Sequence, residues 1–148
     1  MTEYPDVKTL IPHRPPMLLV ERILDVSEKT GSARAVIGND HLFLRGDGTL
    51  APETACELIA QGFGVCESWR RIQKGLTIDG GGFLASVREM EQLAPIFVGD
   101  ELVIRTEKMD ECFDTHIVHG EIFRGETKLA QATIYIFVWR NDAIPKTI

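Results

Sequence analysis

The chain has 148 residues, 44% of them hydrophobic, which is enough to bury one core and predicts a single domain over 1–148. A net charge of −6 with no Lys/Arg-rich run excludes general nucleic-acid binding, and no apolar run reaches membrane-spanning length. Three cysteines without metal-ligand spacing, Cys56, Cys66 and Cys112, read as reduced thiols, and the amino terminus has neither a basic start nor an apolar run; both predict a cytoplasmic protein.

In chain order, residues 5–11 suit one or two helical turns, which Pro12-His13-Arg14-Pro15-Pro16 ends. Residues 17–26 read as a strand, 28–31 as a turn and 32–37 as a second strand of the same hairpin. A Gly/Asp/Asn-rich loop over 38–49 carries His41 towards the one long helical stretch, 50–75. After the helix, Gly80-Gly81-Gly82 is either a loose connection or a place where backbone approaches a ligand closely. Strands are predicted over 83–93, 101–109, 115–123 and 130–140, the last two separated by the turn Arg124-Gly125-Glu126. One helix among antiparallel strands is an α+β domain whose sheet curls over the helix. A helix covered on one side only needs a partner, and a homodimer is the economical solution.

The helical stretch is signalled at both ends. Pro52 suits the first helical position, Glu53 complements the positive end of the dipole, Arg70, Arg71 and Lys74 the negative end, and Gly75 a left-handed cap. Its first half is apolar on almost every side, through Ala55, Cys56, Leu58, Ile59, Ala60, Phe63, Val65 and Cys66, so it is buried. Glu57 and Gln61 interrupt that surface at i and i+4 and share one face. Either Glu57 pairs with an arginine or reaches water, or it is a half-buried general acid or base. His116 and His119 have opposite parity along a strand, which argues against a joint metal site.

Several stretches together resemble the hotdog-fold dehydratases of the FabZ and FabA type, which act on 3-hydroxyacyl groups carried on acyl carrier protein. Pro12-His13-Arg14, followed by the apolar run from Met17, is similar to the family's opening, and Glu57-Leu58-Ile59-Ala60-Gln61 to its catalytic helix motif. Phe83-Leu84-Ala85-Ser86-Val87 and Val98-Gly99-Asp100-Glu101-Leu102 resemble the segments that line the acyl tunnel and start the next strand. The departure is in the loop before the helix. The family's catalytic histidine, set in His-Phe-Pro-Gly, falls on Phe43, with His41 two residues earlier, and the family's amide-donating glycine falls on Pro52. This loop is more similar to that of the dehydratase-like proteins associated with aryl polyene biosynthesis.

The resemblance implies a hotdog fold, a curved antiparallel sheet wrapped around a long central helix. It also implies a dehydratase of fatty-acid or polyene-type biosynthesis that removes water from a 3-hydroxyacyl thioester to give a trans-2-enoyl thioester. Glu57 is then the acid and His41 the base, while Gln61, Glu53, Phe83 and Leu84 contact or position the substrate. No cofactor or metal is expected. The expected partners are acyl carrier protein or a coenzyme A thioester and a second hotdog subunit, the same or related, with no nucleic acid and no membrane. Arg70, Arg71, Lys74 and Arg88 offer a docking patch for an acidic carrier. Two alternatives share the fold: an acyl thioesterase using the helix carboxylate alone, and a non-catalytic acyl-binding subunit of a complete dehydratase.

Overall fold

A computed structural model describes residues 3–78 and 81–139. Its one α-helix among these residues, α1 (Thr54–Gln73), lies against six strands: β1 (Arg22–Val26), β2 (Thr30–Val36), β3 (Gly81–Gln92), β4 (Glu101–Cys112), β5 (Thr115–Arg124) and β6 (Thr127–Trp139). The strands form a single antiparallel sheet in the order β1-β2-β4-β5-β6-β3. The chain therefore builds one sheet edge, crosses the sheet face as α1, and lays β3 along the far edge. The helix packs on all six strands, as the expected wrapping requires.

Strand alternation decides which side faces the helix. Ala33 and Ala35 of β2, Leu102 and Ile104 of β4, Val118 and Ile122 of β5, and Ala132 and Ile134 of β6 are buried beneath it. From α1 they meet Leu58, Ile59, Phe63, Val65 and Cys66. Small residues set the closeness of this contact. A Cβ on Gly120 would lie 2.2 Å from Ile59 Cγ2, and one on Gly62 would lie 2.9 Å from Ile104 Cγ2. Burial pushes the Cys66 thiol up to about 12, so it serves as a core residue.

Two predicted boundaries move. The helix starts at Thr54, and Pro52 and Glu53 form a turn ahead of it, closed by Ala55 N–H to the Pro52 carbonyl (3.2 Å) and Cys56 N–H to that of Glu53 (3.2 Å). The strand predicted over 17–26 begins its ladder only at Arg22, because the backbone of Met17 and Leu19 bonds to the side chain of Gln61 instead. The far end of α1 behaves as predicted: Gly75 takes φ 73°, Leu76 N–H reaches the Arg71 carbonyl (2.9 Å) and Gly75 N–H that of Ile72 (3.0 Å), a Schellman cap. Of the glycine triplet, Gly80 lies outside the described residues, whereas Gly81 and Gly82 open β3 opposite Trp139 and Val138.

Candidate active site

The i, i+4 pair on α1 is built as a clasp. Gln61, 2% exposed, accepts from Leu19 N–H (2.8 Å) and donates through Nε2 to the Met17 carbonyl (2.8 Å) and to Glu57 Oε1 (2.9 Å). Its donors and acceptor are spent on holding the Glu57 carboxylate and the 17–19 backbone together, and such a satisfied buried amide is rigid. Glu57 itself is half-buried and faces a cavity of about 220 Å³.

That cavity runs along one stripe of the helix. Glu57, Ala60, Gln61, Gly64, Ser68 and Arg71 line it at three- and four-residue steps. Leu10 and Ile11 form one wall and Leu84, Ile136 and Val138 the other, with Gly82, Thr77 and Ile78 completing it. Glu57 to Arg71 spans roughly 20 Å at 1.5 Å per residue. The lining of the cavity is mostly apolar, which suits an alkyl chain.

His13, which the sequence leaves without a role in the chemistry, also lines the cavity, with Nε2 3.7 Å from Glu57 Oε1. Arg14 fixes the segment that carries it: Nη1 donates to the carbonyls of Ile11 (3.1 Å) and His13 (2.7 Å), and Nη2 to that of Lys8 (2.9 Å). From the helix, Ser68 Oγ donates to the Leu10 carbonyl (2.7 Å). The Pro-His-Arg run is thus stitched to α1 on both sides of His13. No spacing rule brings His13 and Glu57 together, so only the fold reveals the pair.

The other predicted site residues are placed differently. His41 sits in the 38–50 loop, where its Nδ1 accepts from Phe43 N–H (3.1 Å), its Nε2 is enclosed, and its ring does not line the cavity. Burial lowers its pKa below the ordinary value, against the pull of Asp40. Glu53 is exposed in the turn before α1. The amides of Thr54, Ala55 and Cys56 are already bonded to the carbonyls of Ala51, Pro52 and Glu53. Leu84 lines the cavity, and the side chain of Phe83 lies outside what is described.

The basic helix end is not one patch. Arg70 is 6% exposed and binds the carbonyls of Ser27 and Thr30 as well as Glu67, which removes it from any docking surface. Glu67 also bonds Lys108 Nζ (3.1 Å), so this second cavity carboxylate is neutralised. Glu67, Glu111 and buried His116 bring ligand-type atoms within 4.8 Å of one another, but the Lys108 ammonium, 3.8 Å from Glu111, already supplies the cation there. His119 faces the opposite side of the sheet, near Thr133.

A six-stranded antiparallel sheet wrapped on one long helix defines a hotdog fold. The chain belongs to the ApeP-like family, described as ApeP dehydratase, whose model matches residues 5–144. It is similar to the 3-hydroxyacyl-[acyl-carrier-protein] dehydratase FabZ of Streptococcus pneumoniae strain CGSP14, 33% identical over 108 residues, or 70% of this chain and 74% of FabZ. Its fold is that of a chain of the dehydratase heterocomplex ApeI:P from Xenorhabdus doucetiae (TM-score 0.87, 24% identity, 95% of each chain). A hypothetical thioesterase from Streptococcus pneumoniae TIGR4, solved with coenzyme A, shares it more loosely (TM-score 0.61, 17% identity, 79% of this chain and 86% of that one).

Proposed function

We propose that this chain dehydrates 3-hydroxyacyl thioesters to trans-2-enoyl thioesters, with the acyl chain held in the cavity beside α1. The observation that carries the reading is Glu57: a carboxylate held by Gln61 at one end of an apolar channel, in a chain of a dehydratase family. Elimination needs one group to take the C2 proton and another to protonate the departing 3-hydroxyl. Glu57 supplies the second, and Gln61 keeps its carboxyl aimed at the channel. Leu84 and Ile136 contact the chain. The Glu53 N–H, which has no hydrogen-bond partner among the described residues, is the amide left at the start of α1 to polarise the thioester carbonyl. For His41 to serve as base, the 38–50 loop must first turn its enclosed Nε2 outward.

The test is absorbance of the conjugated enoyl thioester, with free thiol followed in parallel. Wild-type chain is expected to form the enoyl product from a 3-hydroxyacyl thioester, and Glu57→Gln to reduce turnover at least about 100-fold. Release of thiol without enoyl product would replace this reading with a thioesterase.

The chain is also proposed to work paired with a second hotdog subunit, the same or related. Among the described residues β3 bonds to β6 alone, so its other edge is open, and long open edges recruit a strand. The same strand lines the cavity through Gly82 and Leu84, so a partner on that edge would border the channel. Sedimentation of the purified chain as a monomer at micromolar concentration, unchanged by a related subunit, would rule this out.

A further inference from the structure

We propose that His13 is the catalytic histidine of this site, the group that takes the C2 proton while Glu57 protonates the leaving hydroxyl. The inference rests on the dehydratase reading above and names the residue that completes it. Four observations converge on it.

His13 Nε2 stands 3.7 Å from Glu57 Oε1, with the side chains 29% and 27% exposed, so both reach the cavity. The gap is longer than a hydrogen bond, so neither group is tied up by the other. It is short enough for one group on C2 and one on C3, adjacent carbons, to meet the two side chains together. The ring is also preorganised: Arg14 ties the carbonyls on either side of it, and its Nδ1 is enclosed, so Nε2 is the nitrogen turned towards Glu57. The rival histidine is differently placed, since Nδ1 of His41 is taken by Phe43 N–H and its Nε2 is walled in. Finally, the other carboxylate on the cavity, Glu67, is committed to Arg70 and Lys108 and is no free proton carrier.

The step balances within the pair. Neutral His13 accepts the C2 proton on Nε2, the C2–H electrons become the C2=C3 bond, and the C3–O bond breaks. The oxygen leaves as water with the proton of Glu57. Imidazolium and carboxylate then face each other, and one proton passed from His13 to Glu57 resets the site without exchange through bulk solvent.

The experiment uses the 148-residue chain and 3-hydroxyoctanoyl-N-acetylcysteamine as probe, reading enoyl absorbance, with folding checked by circular dichroism. His13→Asn is expected to lower kcat about 100-fold or more while KM stays within about threefold, as loss of a general base predicts. His13→Ala, which opens space beside Glu57, is expected to regain turnover with added imidazole, a response a merely structural histidine would not give. His119→Asn, on the outer face, is expected to match wild type. If Glu57→Gln is inactive but His13→Asn turns over normally, the dehydratase reading stands and His13 is not its base. His13 is equally excluded as the base if His41→Asn loses turnover and His13→Asn does not, or if imidazole leaves His13→Ala unrestored. A wild-type chain that forms no enoyl product overturns both the dehydratase reading and the role of His13 in it.

Discussion

Gln61 shows how much one side chain decides here. Among the described residues it alone ties the carboxylate of Glu57 to the backbone of Met17 and Leu19, and it does so from a fully enclosed position. Gln61→Leu would keep the volume and strand the buried Leu19 N–H and the partly buried Met17 carbonyl, the buried group costing about 1–3 kcal/mol when unpaired. The expected loss is roughly 2–3 kcal/mol, read as a lower urea midpoint with an unchanged m-value. Turnover should fall by more than the loss of folded protein explains, since Glu57 is freed to rotate. The pair Glu57 and Gln61 was legible in the sequence because an i, i+4 polar step stands out on an apolar helix. His13 was not, since its approach to Glu57 depends on a loop held by Arg14, Gln61 and Ser68, contacts that span 3 to 58 residues of chain.

At the scale of elements, the sequence disclosed the succession of strands along the chain and the single long helix, because period-two alternation and glycine-marked turns punctuate it clearly. It misplaced the start of the first strand, apolar from Met17 onward, because at Met17 and Leu19 a side chain from α1 took the backbone partners that a strand would have used. Nor could it show how closely helix and sheet approach. That distance is set at Gly120, whose strand carries no side chain under Ile59. Gly120→Ala would place a methyl 2.2 Å from Ile59 Cγ2, and neither a central strand nor a buried helix can retreat without disturbing its neighbours. Overpacking of this kind costs about 1–3 kcal/mol. The expected result is a lower thermal midpoint, and an equal or higher midpoint would show that α1 floats on the sheet.

Across the whole molecule, buried imidazoles make stability depend on pH. Burial lowers the pKa of His116, only partly offset by Glu67 and Glu111, while Lys108 and Arg70 push it further down. These groups come from α1 and β4, while β6 offers apolar Ile136 opposite it and the Phe63 ring lies tilted beside it, centroids 5.5 Å apart. His41 is lowered by burial too. In the unfolded chain both histidines titrate near their ordinary value, about 6.5. As the pH falls below that value the unfolded state takes up protons that the folded state refuses, so stability declines until the lowered folded-state values are passed. Asp47 acts in a separate, more acid window: Thr49 hydrogen bonds lower its pKa below 3.8, and that contribution is lost only when the carboxylate protonates. The urea midpoint should therefore drop between about pH 7.5 and pH 5.5. His116→Asn, whatever it does to stability at neutral pH, should make that drop smaller, because its side chain has no proton to gain. A wild-type midpoint that holds steady or rises over the same interval would mean that Glu67 and Glu111 keep His116 charged in the fold, and that the cluster beneath α1 is an ion network rather than a buried neutral ring beside one.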